Sequence, residues 1–230
     1  MAVRELDVLE LYGQSLRLIQ AEPGRILVLS ALGLAPSWIA SLISDSYLWS
    51  MVILVLSLPL VALAHGGLVV LVAALQRGGP VPAMRELLSG PADGFVRITW
   101  ALVVLSVVLG LGFILLVVPG MIALAYLWVA WPLVVLEGAP AMAAIRLSVR
   151  LTAGHRLKII AMVMLLILID LGLVILQVAL AAFLGLVFSI ALGALIGTAV
   201  TALALALVTL SYLRLKDPTP AEPPRLSQPG

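Results

Sequence analysis

Apolar residues run through the chain in long blocks that neither alternate with a period of two nor pause for more than a short polar interval. Six blocks stand out, at 26–44, 48–76, 97–118, 120–136, 158–182 and 187–212. A helix needs about 20 apolar residues to cross a hydrocarbon core of roughly 30 Å. Without the dyad alternation of barrel strands, the pattern predicts six membrane-spanning helices. The second block is longer than a crossing needs and should tilt or emerge, whereas the fourth is short and carries Pro132 inside it. The last pair is one apolar run over 159–213, interrupted by Asp170 and Gln177, and is divided by parity. Lys158 before it and Arg214 with Lys216 after it belong on one side of the membrane, so the run must cross twice.

The intervals have a pattern of their own. Glu5 to Gln20 places Val8, Leu9, Tyr12, Leu16 and Ile19 on one arc at the helical period, with Glu10, Gln14 and Arg17 opposite. This predicts an interfacial helix capping the bundle. A second amphipathic segment opens at Pro82 and a third at Pro140, both with the string PAM, while SLRL at Ser15 and SVRL at Ser148 link the first and third. The expected fold is therefore an all-α integral membrane protein: six transmembrane helices with cytoplasmic amphipathic interfacial helices, in a threefold repeat of surface helix plus helical hairpin.

Charge fixes the expected orientation. All 13 Lys and Arg fall in the odd-numbered intervals: Arg4, Arg17, Arg25; Arg77, Arg85, Arg97; Arg146, Arg150, Arg156, Lys158; Arg214, Lys216, Arg225. The even intervals hold Asp45, a turn at Pro119 and Gly120, and a turn near Gly185. The positive-inside rule then puts both termini in the cytoplasm. No secretory leader is expected at the acidic N-terminal segment, and the Pro-rich stretch 217–230 after the membrane domain 1–216 is expected to be a disordered tail. A composition that is 63% hydrophobic and 10% charged agrees with a membrane class. With no cysteine, disulfides, thiolate metal sites and cysteine nucleophiles are excluded.

The third surface segment is the most chemical. Pro140 suits a first helical turn and Gly154 a stop. Arg146 and Arg150 fall one turn apart between two apolar faces, Met142, Ile145 and Val149 on one and Leu147 and Leu151 on the other. Such a helix turns the chain round at the membrane surface, its arginines reaching headgroup level. Anchoring alone is the simpler reading; an anionic-lipid site of Arg146, Arg150, Arg156 and Lys158 is the functional one. Glu137 either caps this helix, the simpler assumption, or pairs with Arg150 or another base.

The stretch from Leu115 to Ile160 resembles the membrane domain attached to some bacterial glycerophosphoryl diester phosphodiesterases, and related stand-alone prokaryotic membrane proteins. The matching positions are Pro119, Gly120, Glu137, Gly138, Ala144, Ser148, Leu151 and Gly154. The resemblance implies a prokaryotic inner-membrane location and a fold, but little activity, because the chemistry of those fusions belongs to a soluble barrel that this sequence does not hold. Phosphodiesterase activity is not expected.

Within the spans, Asp170 is costly by about 2.5–3.5 kcal/mol on insertion scales and is a functional candidate for that reason. With Gln177 two turns away it suggests a polar path, against which stands a role in gluing helices. His65 is expected to be a helix-packing donor, since a lone histidine makes no metal site. Gly185, Ser189, Gly193, Gly197 and Thr201 form a small-residue ridge expected to pack within the chain. Trp38, Tyr47 and Trp49 are expected in the outer aromatic belt and Trp128 and Trp131 inside the bundle. The expected role is structural, accessory or lipid-interacting, not enzymatic, with membrane lipids as partners and no cofactor, metal or nucleic acid. The alternative is a small transporter or channel using Asp170.

Overall fold

The computed structural model describes residues 6–43, 46–89 and 94–216. Arg4, Glu5, Asp45, Arg225 and the 217–230 tail lie outside the described residues, and the expectations placed on them are not addressed. Ten helices and no strand occur among the described residues: α1 (Val8–Ala21), α2 (Pro23–Ile43), α3 (Tyr47–Gln76), α4 (Met84–Ser89), α5 (Phe95–Leu115), α6 (Val117–Leu127), α7 (Ala130–Glu137), α8 (Ala141–Leu151), α9 (Arg156–Leu184) and α10 (Leu186–Lys216). Six stretches among them are long and apolar enough to cross a membrane, with α6 and α7 together making the fourth. The chain is a helical, multi-pass membrane protein. Its order repeats three times: a short helix, then a hairpin. The short helices are unequal, α4 having only 6 residues against 14 in α1 and 11 in α8.

The hairpins close on very little chain. Between α5 and α6 the turn is the single extended residue Leu116, at φ −176° and ψ 158°. The sequence placed this turn at Pro119–Gly120, but both lie in the first turn of α6, where Pro is at no disadvantage because its missing N–H would have no helical acceptor. Glycines let the two helices meet: a Cβ on Gly112 would stand 3.3 Å from the Gly120 Cα, and one on Gly120 would enter the Phe113 ring. The α9–α10 hairpin also turns on one residue, Gly185, at φ 84° and ψ 169°, a region that essentially only glycine occupies.

The fourth crossing is broken at Trp128 and Val129. Pro132 supplies no N–H to the carbonyl four residues back, which is that of Trp128. Gly138, left-handed at φ 67°, caps α7, with the Arg97 guanidinium against it. α8 then folds back on α7 and α6.

Two surface helices sit rotated from their predicted faces. α1 buries Leu11, Tyr12 and Ser15, leaving Leu9 75% and Leu16 49% exposed. Its rotation follows its polar anchors: the Tyr12 hydroxyl donates to the Met162 carbonyl at 2.7 Å, and Glu10 holds Arg214 through bonds of 2.6 and 3.2 Å. α8 buries Ala141, Ala144 and Ser148, and Met142 is exposed. Small side chains permit a closer approach than Met142 or Leu147 would, so packing selects them.

In α3, α5, α9 and α10 the buried residues lie in the half nearest the basic residues: Ala62 to Ala73, Ile98 to Leu105, Ile159 to Val163 and Thr198 to Tyr212. In the opposite halves Leu111, Leu115, Val174 and Val178 are exposed, although α10 also meets α2 there, through Gly197 and Leu34.

Candidate functional sites

The end of the bundle that carries the basic residues is tied by its own charges. Glu137 is not a cap for α8, whose N-cap residue, Pro140, makes no side-chain bond. Its carboxylate accepts from the Tyr212 hydroxyl and from the Lys216 ammonium at 2.5 Å, joining the end of α7 to the end of α10. Arg156 is similarly engaged. Its guanidinium carbon stands 3.8 Å from the centroid of the Tyr126 ring, and it donates to the Tyr126 hydroxyl at 2.9 Å and more weakly to the Val149 carbonyl. Lys158 is half-buried and is not free.

The predicted four-base cluster therefore divides. Arg146 and Arg150 are exposed on α8 with no partner among the described residues, beside exposed Met142 and Leu147. Arg156 serves the fold. The motif positions around them are also structural: Ser148 is fully buried and donates to the Tyr126 carbonyl at 2.8 Å, Ala144 is fully buried, and Gly154 turns the chain at φ 86°. Pro119 is half-buried on the first turn of α6. Leu151 is half-buried against the core.

Asp170 and Gln177 do not form a pair. Gln177 crosses the hairpin, donating to the Ser189 carbonyl at 3.0 Å and lying against Gly193, where a Cβ would stand 2.5 Å from its amide nitrogen. Asp170 is half-exposed on the flank of α9 and makes no hydrogen bond or ion pair among the described residues. The small-residue ridge packs within the chain, with Gly193 against α9 and Gly197 against Leu34 of α2.

A cavity of about 220 Å³ opens between α3, α5, α6, α7 and α10. Its wall is mostly leucine, with Leu105, Leu127 and Leu205 among it, and the side chains carrying nitrogen or oxygen are His65, Ser106, Trp128 and Trp131. His65 does not act as a packing donor: its Nε2 is buried, unpartnered, and pressed on Gly33, where a Cβ would come within 2.5 Å. Trp128 is 6% exposed, as expected of a bundle filler, but the indole nitrogens of both tryptophans have no acceptor. Asp170 is not part of this wall. Reading the sequence missed Ser106 and Gly33. A usable signal was depth: Ser106 follows Phe95 by eleven residues and His65 precedes Gln76 by eleven, which puts them in one layer.

No family model, no curated protein and no solved structure matches the chain.

Proposed function

We propose that the protein is a non-catalytic multi-pass protein of a prokaryotic cytoplasmic membrane that holds anionic lipid headgroups against α8, as a structural or accessory component. One observation carries this reading: Arg146 and Arg150 are exposed and unpartnered beside exposed apolar side chains, while Arg156, Arg214 and Lys216 are engaged inside the molecule. A cationic pair with apolar flanks fits a phosphate at headgroup level above acyl chains.

The location of every Lys and Arg in alternate intervals supports a topology with both termini cytoplasmic. Kinship with the phosphodiesterase-linked membrane domains is part of the same proposal. It is supported by the structural employment of the shared positions, Gly120, Glu137, Gly138, Ser148 and Gly154.

The test is native mass spectrometry from nanodiscs of mixed phosphatidylglycerol and phosphatidylethanolamine, comparing wild type with Arg146→Gln/Arg150→Gln. Each surface base contributes about 1 kcal/mol toward an anionic leaflet, so losing two should lower phosphatidylglycerol retention by roughly thirtyfold. Exposed Arg85 on α4, changed to Gln, serves as the control. Equal retention in a folded double variant would defeat the reading.

A further inference from the structure

The leucine-lined cavity and the α8 arginines share a wall. Ile145, the residue before Arg146, packs on the cluster of Leu105, Leu127 and Ala130, together with Leu109 and Trp131. Leu105, Leu109, Leu127 and Trp131 also line the cavity. One layer of side chains therefore separates the seat of α8 from that space. Round the helix, half-buried Ile145 stands about 100° from Arg146, and exposed Met142 about 40° from it on the same side. An apolar chain that leaves a phosphate on Arg146 and Arg150 thus has Met142 and Ile145 to follow toward α5, which α8 touches.

The cavity lies at the depth where such a chain ends. His65 is eleven residues from the end of α3, Ser106 eleven from the start of α5, and Leu205 eleven from the end of α10, all counted from the basic end. At 1.5 Å per residue that is about 16 Å, half the hydrocarbon thickness and the reach of one leaflet's tails.

The wall selects hydrocarbon. The buried nitrogens of His65, Trp128 and Trp131 have no surface open to an occupant, and no Lys, Arg, Asp or Glu lines the space. Waters would lack the two to four polar partners that each requires, and a ligand that must hydrogen-bond would lose its own partners on entering. Ser106, on the lining, is exposed, as are Val107 and Val108 after it, so the cavity is open at the outer surface of α5, where the surroundings of a membrane-spanning helix are acyl chains.

We infer that one acyl tail of the lipid held at Arg146 and Arg150 enters this cavity, so that α8 and the cavity form a single phospholipid site, charged at one end and apolar at the other. The inference rests on the headgroup reading and adds the tail to it.

Of the five tryptophans, Trp38, Trp49 and Trp100 are changed to Phe, leaving Trp128 and Trp131 as emitters at the cavity wall. Nanodiscs of phosphatidylethanolamine receive rising fractions of phosphatidylglycerol brominated toward the methyl end of one tail, where bromine quenches only an emitter it touches. Saturable quenching is expected. With the bromine beside the ester, or carried on phosphatidylethanolamine, quenching should be weak and proportional to the fraction added. Arg146→Gln/Arg150→Gln should raise the half-saturating fraction roughly thirtyfold, the contribution of two surface bases. Leu205→Phe, or Leu109→Phe on α5, should fill the space and remove the saturable component. Quenching that is proportional throughout overturns the inference. So does equal saturation by brominated phosphatidylethanolamine, which would make the cavity open to any tail. Phosphatidylglycerol retention lost in the double arginine variant with quenching unchanged would sink the tail and leave the headgroup reading standing; retention and quenching both unchanged would sink the two together.

Discussion

A single polar side chain can do different work from what its neighbours in sequence suggest, and Gln177 shows why. Asp170, seven residues away, is about 10.5 Å distant along the helix, whereas the Ser189 carbonyl across the hairpin is within 3.0 Å. The amide takes the nearer partner, and Gly193 makes room for it. Replacing Gly193 by Ala therefore has two opposed effects: better helix propensity, and loss of the space Gln177 occupies. Their separation is measurable in a thermal-unfolding cycle with Gln177→Ala. Gly193→Ala should stabilise the Gln177→Ala background and fail to stabilise wild type, with a coupling of about 1 kcal/mol, the scale of an interhelical hydrogen bond in a membrane. Additive effects would dissociate the glycine from the amide. The glycine ridge was legible because its spacing is local. Glu137 was not, since Tyr212 and Lys216, 75 and 79 residues on, gave no sign in the sequence of arriving beside it.

At the scale of elements, existence was easier to read than orientation. Both α1 and α8 were visible as amphipathic segments, but periodicity ranks side chains by hydrophobicity, and in these helices polar anchors and small residues decide which face turns inward. In α1 the deciding group is Tyr12, whose hydroxyl burial has pushed its pKa up to about 12 from an ordinary 10.0. A group whose folded pKa is raised contributes stability that is complete below its unfolded value and is lost as pH climbs through the folded one. The docking of α1 should therefore weaken between about pH 10 and 12. The native absence of cysteine permits a clean reporter: Ser15→Cys, buried under α1. Its alkylation rate, taken relative to Leu9→Cys on the exposed face, should climb over that interval, and Tyr12→Phe should remove the climb. A ratio flat with pH would separate Tyr12 ionisation from docking. The hairpin turns were located to within a few residues, and the shift to Leu116 reflects the tolerance of a helix's first turn for proline.

For the whole molecule, hydropathy gave the number of crossings because each span answers to the bilayer alone. It could not give the cavity, which exists only where five helices meet around the break that Pro132 imposes. Nor could it show that the Asp170 carboxyl is half-exposed on α9 and outside the cavity. Since Asp170 has no partner among the described residues to lose, Asp170→Leu should leave the thermal stability of the isolated protein equal to or above that of wild type. Its membrane insertion should improve by about 2.5–3.5 kcal/mol on translocon scales. A clear fall in melting temperature would mean that Asp170 holds the fold together after all.

The uneven distribution of burial along α3, α5, α9 and α10 has a consequence for the surrounding bilayer. Where side chains are buried, acyl chains meet only the rim of the bundle; where they are exposed, acyl chains wet more of each helix. The two leaflets thus meet the same protein as two different solutes. Changes in chain order or lateral pressure confined to the leaflet around the more exposed halves would act on more side chains than the same change at the charged, interlocked end. The two leaflets therefore have unequal amounts of protein surface to solvate.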